Sequence, residues 1–255
     1  LPKFNTHTEA VRRFLFDVAR HWIEFGIAGW RLDVPEEIDY AGFWQEFRRV
    51  VKAANPEAYI VGEIWHDAER WLAGDQFDAV MNYGIARACL GFFGRETYDR
   101  EYRPGGFRIP PLGARAFGNE IERLMTLYEW PVVQAQLNLL DSHDTPRLLS
   151  LARGDKATVR LATLLQMTFP GAPCIYYGDE IGLRGTENYD GYHHDPDARW
   201  AFPWDDEDRW DMELLAYFKE VIALRHGHPA LRHGRYTELD ARGSCFAFAR
   251  HDGQE

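Results

Sequence analysis

The sequence predicts an α/β fold, either a parallel sheet covered by helices or a β/α barrel, on three observations. Apolar stripes at helical spacing alternate with short strand-like runs along most of the chain. Strands that follow one another through helices pair in parallel. Acidic residues fall at or just past the C-terminal ends of three of those strands, which is where a barrel carries its chemistry.

The elements follow in order. Ala10/Val11, Phe14/Leu15, Val18/Ala19 and Trp22/Ile23 recur every four residues and predict an amphipathic helix. "GIAGWRLDV" is the first strand. Its side chains alternate, so Trp30, Leu32 and Val34 share the face toward the helices, while Arg31 and Asp33 share the other. Phe43, Trp44, Phe47, Val50 and Val51 form the next helical stripe, ended near "NPEA". "YIVGEI" (59–64) and "FDAVMNY" (77–83) read as the second and third strands. A loop rich in Gly, Pro and Arg occupies 94–113, and 114–129 reads as a helix. "QAQLNLLDSHD" (134–144) is a fourth strand entering a polar loop, and 155–169 is another helix. "PCIYYGDEIG" (173–182) is a fifth strand and turn. After a long polar loop, Leu214, Leu215, Phe218, Val221 and Ile222 mark a last helix. From Pro229 the pattern changes, and "GRYTELDARGSCFAFARHDG" reads as a hairpin opening an all-β unit.

Composition narrows the function class. The 255 residues are 45% hydrophobic, enough for one large domain or one domain and part of another. Net charge is −11, with acids and bases mixed, which disfavours nucleic acid and anionic membrane as partners. No run of 18 apolar residues exists, so no membrane span is expected. The chain opens on Leu1 without a leader pattern, which reads as an internal position or a processing point. Three dispersed cysteines make neither a disulfide framework nor a metal spacing and fit a reducing, cytoplasmic compartment. The histidines of "YHHDPD" (192–197) lack a third ligand spaced for zinc and are read as solvated, so no metal is assigned.

The strand-end acids suggest glycosidic bond cleavage. Retaining enzymes place a nucleophilic carboxylate about 5–5.5 Å from a carboxylic acid that donates a proton. Asp33 and Glu63 sit on successive strands, and Asp144 follows the fourth. Arg31 is placed to keep Asp33 ionised by a direct ion pair. Glu63 is expected among Trp65, His66 and Tyr83, an apolar wall favouring its protonated form. His143 adds a polar grip beside Asp144. A barrel-interior ion pair, a strand-end cap and a turn with a helix cap are the plainer readings of these same residues.

Taken together, "GWRLDV", "VGEIWHDA" and "LLDSHDTPR" resemble the second, third and fourth signature regions of the α-amylase family of retaining α-glucan hydrolases and transferases. "PGAPCIYYGDEIG" resembles that family's eighth barrel strand and its following loop. "LPKFN" and "GEIWHDAERWLAGDQFDAVMNY" resemble the neopullulanase, cyclomaltodextrinase and maltogenic amylase subfamily. The resemblance implies Asp33 as nucleophile, Glu63 as general acid/base and Asp144 as the transition-state stabiliser gripping sugar hydroxyls. It implies that Arg31 positions Asp33, that His143 binds the same sugar, and that Trp65 and Glu37 lie toward the acceptor. His66 and Tyr83 complete the candidate substrate contacts. It implies a (β/α)8 TIM barrel to which residues 1–228 contribute about strands 4–8, with 229–255 opening a C-terminal β-sandwich. Five strands where eight are needed mark the chain as an excerpt, the rest of the barrel and an N-terminal β domain lying upstream. The implied substrates are cyclodextrins, pullulan or maltooligosaccharides, cleaved at α-1,4 or α-1,6 bonds. No cofactor is required by this segment, calcium falling to residues outside it, and full-length relatives form homodimers. The alternatives are another member of the family, an α-glucosidase, glucan transferase or sucrose- or trehalose-acting enzyme, and an inactive amylase-like binding subunit. The loop over 182–205 departs from the subfamily's usual run, although Arg199 and Trp204-Asp205 resemble its ending.

Overall fold

A computed structural model describes residues 2–38, 40–98, 100–101, 108–185 and 196–253. In chain order the elements are α1 (Glu9–Phe25), β1 (Gly29–Leu32), α2 (Phe43–Ala54), β2 (Tyr59–Gly62), β3 (Ala79–Val80), α3 (Tyr83–Phe93), α4 (Ala114–Thr126), α5 (Trp130–Ala135) and β4 (Leu137–Leu139). There follow α6 (Leu148–Leu151), α7 (Lys156–Thr168), β5 (Ala172–Cys174), α8 (Met212–Gly227), α9 (Pro229–His233), β6 (Arg235–Arg242) and β7 (Cys245–His251). The chain divides into two compact units, residues 1–81 with 127–137, and residues 82–126 with 138–255.

In the first unit β1, β2 and β3 form a parallel sheet in that order. Gly29 pairs with Tyr59 and Val61 with Ala79, and a parallel bridge joins Met81 to Leu137. Helix α1 buries Phe16, Ala19 and Ile23 and stops at Gly26, whose φ of 117° only glycine adopts cheaply. Of its apolar pairs Phe14 and Trp22 are exposed, whereas Phe16, which belongs to none of the pairs, is buried. The core joins those residues to Leu32, Trp44, Phe47, Val51, Ile60, Ile64, Phe77 and Val80. One largely buried carboxylate, Asp78, ties helix to sheet: it takes Arg48 at 2.8 Å and Lys52 at 2.9 Å from α2, and the Ile60 N–H of β2 at 2.9 Å.

In the second unit α3, α4, α6, α7 and α8 pack around Ile85, Cys89, Phe92, Phe117, Ile121, Leu148, Leu165, Phe169 and Phe218. Gln166 of α7 donates to the carbonyls of Asn138 on β4 and Cys174 on β5, at 3.0 and 2.9 Å. The end of α7 is held by two arginines. Arg225 donates to the carbonyls of Met167, Phe169 and Gly171. Arg250 of β7 donates to those of Thr168, Leu231 and Gly234. Burial lowers both guanidinium pKa values, that of Arg250 to about 10. The antiparallel hairpin β6–β7 rests on α4 through Phe246 against Phe117 and Glu238 against Arg115.

The strands are shorter than the sequence suggests. Those read over 77–83, 134–144 and 173–182 reduce to Ala79–Val80, Leu137–Leu139 and Ala172–Cys174. Tyr83 opens a helix instead of closing a strand, and Gln134 and Ala135 end α5. The first strand stops at Leu32, so Val34 is not on its helix-facing side; it is exposed, with φ 31° and ψ 56°. The loop residues 186–195, including "YHHD", lie outside the described residues.

Candidate active site

Parallel pairing of β1 with β2 brings their C-terminal ends together, and the ladder runs one residue further through Glu63 N–H to the Leu32 carbonyl at 2.9 Å. Three charged side chains meet there. Arg31 Nη1 lies 2.5 Å from Asp33 Oδ1, and Arg31 Nη2 lies 3.2 Å from Glu63 Oε2. The expected Arg31–Asp33 pair is therefore present, and the same guanidinium reaches the second carboxylate. The two acids differ in surroundings: the Asp33 side chain is 72% exposed, that of Glu63 3%. A buried carboxyl needs hydrogen bonds, and Glu63 Oε2 also accepts the Val34 N–H at 3.1 Å. That amide is presented by a backbone turned into the left-handed region, which a β-branched residue enters only under strain. The strain is held by Pro35, which is buried and accepts the Trp44 indole N–H at 3.0 Å.

The remaining first-unit candidates lie in the segments that follow β1 and β2. Trp65 is half-buried. His66 is exposed: Nδ1 bonds the Asp67 carbonyl and Nε2 the Glu36 carboxylate, both at 2.8 Å. The Asp67 carbonyl first, and then Glu36 against partial burial, raise the His66 pKa. Glu37 takes Lys3 through its backbone carbonyl and its carboxylate, at 3.1 and 3.4 Å. The "LPKFN" stretch thus touches the turn after β1.

The second unit carries the other candidates. His143 Nε2 lies 3.0 Å from Asp144 Oδ2, and Arg199 Nη2 donates to Asp144 Oδ1 at 2.6 Å. Arg199 Nε also donates to the His143 carbonyl at 2.8 Å. The turn beneath is fixed locally, Ser142 N–H to Thr145 Oγ1 at 2.7 Å and Asp144 N–H to Ser142 Oγ at 3.2 Å. Tyr83 belongs to this unit, where it begins α3 with its side chain buried. Arg199 stands out in the sequence, but its place on Asp144 does not, since a separation of 55 residues hides the pairing. The Val34 amide carries no sequence signal at all. Among the described residues, no group of three or more His, Cys, Asp or Glu is arranged to hold a metal, and no helix is long and apolar enough to cross a membrane.

Comparison with known proteins gives the same family as the motifs. The alpha-amylase catalytic domain family matches residues 1–234. A cyclomaltodextrinase from Geobacillus thermopakistaniensis is 46% identical over all of this chain and 40% of its own length. Neopullulanase 2 from Thermoactinomyces vulgaris is 44% identical over 98% of this chain and 39% of its own. The crystal structure of Ttha1563 from Thermus thermophilus superposes with a TM-score of 0.92 at 51% identity, covering 98% of this chain and 52% of that one. The chain spans 40% of the first of these relatives. On the extent of these matches, the chain belongs to the α-amylase catalytic-domain family.

Proposed function

We propose that the full-length protein is a retaining glycosidase. It cleaves α-1,4 or α-1,6 glucosidic bonds in cyclodextrins, pullulan or maltooligosaccharides. The observation that carries this reading is one arginine holding two carboxylates at adjacent strand ends, one exposed and one buried. Asp33, exposed and charge-paired, is the nucleophile that forms a covalent glucosyl ester at the anomeric carbon. Glu63, buried and oriented by a backbone N–H, gives its proton to the departing glycosidic oxygen and then takes one from the incoming water or sugar acceptor. Asp144, oriented by Arg199 and His143, grips hydroxyls of the bound glucose, and His143 contacts the same sugar. Trp65, Glu37, His66 and Tyr83 are the proposed further substrate contacts. In the whole barrel β1 to β5 are about strands 4–8, and the residues from 229 begin a β-sandwich. The names of the two curated relatives, cyclomaltodextrinase and neopullulanase, support the substrate class.

The test is D33A and E63Q in the full-length protein, with unfolding followed alongside. Each lowers kcat on β-cyclodextrin by about 10³-fold or more while the circular dichroism spectrum is kept. Near-normal turnover in either variant overturns the assignment. Proton NMR of the first product shows the α anomer if configuration is retained. Product profiles on cyclodextrin, pullulan, maltose and sucrose separate this reading from the other activities of the family.

A further inference from the structure

Glu36 and His66 each lie three residues past a candidate catalytic carboxyl, Asp33 and Glu63 respectively. They meet: His66 Nε2 is 2.8 Å from Glu36 Oε1, and His66 Nδ1 is 2.8 Å from the Asp67 carbonyl. A carbonyl and an ionised carboxylate are acceptors only, so each of these contacts needs an N–H on the imidazole. A neutral ring carries one N–H; the imidazolium carries two. The geometry therefore fits the charged ring, and a neutral one would set a lone pair against one of the two oxygens. With both nitrogens bound by protein, the ring can meet a sugar only through its face and carbon edge.

The surroundings of His66 fit that charge. Glu36 faces it from the turn after β1, and Asp67 from its own segment. Its ring and that of Trp71 have centroids 5.6 Å apart, and the Arg70 guanidinium lies over the same indole, 4.3 Å from its centroid. Tyr128, from the segment before α5, takes the Ala68 N–H at 2.9 Å. Two anions thus outnumber one cation, and the hydrogen bond to the Asp67 carbonyl, ahead of Glu36, holds the His66 pKa above its ordinary value. The side chains of His66 and Glu36 are 45% and 41% exposed. An ion pair so accessible to water adds little to global stability, so its effect is local. What it acts on is the strained turn. Glu36 lies inside a 3-10 turn (Pro35–Glu37), closed by the Glu37 N–H to the Val34 carbonyl at 3.0 Å and the Ile38 N–H to that of Pro35 at 3.3 Å. At the head of this turn Val34 sits at φ 31°, its N–H on Glu63 Oε2. A residue before proline relaxes toward extended backbone unless it is held.

We propose that Glu36 and His66 are positioning residues: as carboxylate and imidazolium they clasp the turn after β1 to the segment after β2 and keep the Val34 amide on the Glu63 carboxyl. Without the clasp Val34 relaxes toward extended backbone, and Glu63 loses the N–H that orients it. The clasp stands apart from the functional reading, whereas its effect on turnover rests on that reading.

The experiment compares E36Q, E36A, H66A and E36A/H66A with wild type in the full-length protein. In histidine-labelled wild type, the NMR signal that H66A lacks titrates above the ordinary histidine value of about 6.5. In E36Q, which keeps an acceptor oxygen without the charge, that midpoint falls toward the ordinary value. Glu36 has no proposed sugar contact, so E36A isolates positioning. It lowers kcat on β-cyclodextrin about 10-fold, with KM nearly kept and Tm within about 2 °C of wild type. The double variant loses no more than H66A alone. The ratio of wild-type to E36A kcat, in which the titration of Glu63 cancels, falls toward one as pH rises through the NMR midpoint, because neutral His66 no longer clasps. A wild-type midpoint at or below the ordinary value overturns the imidazolium. Losses that multiply in the double variant, or a ratio constant across pH, show two independent side chains and overturn the positioning. Failure of the functional reading shows separately, as absent turnover in wild type or full turnover in D33A.

Discussion

Arg31 makes two contacts that require two separated donors, Nη1 to Asp33 and Nη2 to Glu63. A lysine carries the same charge on one nitrogen and cannot span both carboxylates. R31K in the full-length protein is expected to lower kcat/KM by about 10²-fold, with a Tm near that of wild type. A variant with wild-type kcat/KM would show that the guanidinium fork is unimportant. The Arg31–Asp33 pairing is legible in the sequence because strand alternation puts residues two apart on one face. The conformation of Val34 is not. It precedes Pro35, a position biased toward extended backbone, yet its φ is 31°. The turn is imposed from outside the local sequence, by the Glu63 carboxylate that takes its N–H and by Trp44 bound to the Pro35 carbonyl. V34G removes the steric strain but frees the backbone that aims the amide. Activity therefore falls in V34G while Tm changes little, as thermal scans and kcat/KM would show.

At the scale of elements, β1 and β2 meet at a point with no room. A Cβ on Gly29 would lie 2.0 Å from the Tyr59 carbonyl oxygen and 2.7 Å from its nitrogen, both backbone atoms that cannot yield. G29A is expected to cost about 2 kcal/mol or more in urea denaturation, and to lower kcat because the same register sets Asp33 beside Glu63. Helices with one apolar stripe, α1 and α2, are legible from periodicity. Helix α3 is not, since Ile85, Ala88, Cys89, Leu90 and Phe92 bury it on nearly every side and leave no polar face to define a period. The strands β1 to β5 run only two to four residues. The all-β character from Pro229 onward is legible as a hairpin. Its attachment is not, because Arg250 reaches carbonyls at the end of α7, 82 residues away. R250M is expected to cost about 3 kcal/mol by leaving those carbonyls unbonded, measurable by the same denaturation.

For the whole molecule, a net charge of −11 says that the chain repels itself at neutral pH, but not how stability depends on pH. Two of the aspartates packed against the fold, one in each unit, contribute to that dependence with opposite signs. Burial pushes Asp78 up, but Lys52, Arg48 and the Ile60 N–H outweigh it and hold its carboxyl below the usual carboxylate range. A depressed carboxyl contributes stability above its unfolded value and loses it as pH falls through the folded one. Asp179 is raised, so its contribution is greatest below its unfolded value and is lost as pH rises toward the folded one. The composition counts these two residues alike; only their partners distinguish them. Hydrogen exchange of the full-length protein, corrected for the intrinsic pH dependence of amide exchange, reads the units separately. Acid loosens residues 59–62 and 79–80 around Asp78 first, whereas alkali loosens 141–148 and 176–183 around Asp179 first. In D78N the stability deficit seen at pH 7 closes as pH drops below about 4. A D78N deficit that stays constant into acid would mean that the carboxylate charge, and with it the clamp on Arg48 and Lys52, does not stabilise the first unit.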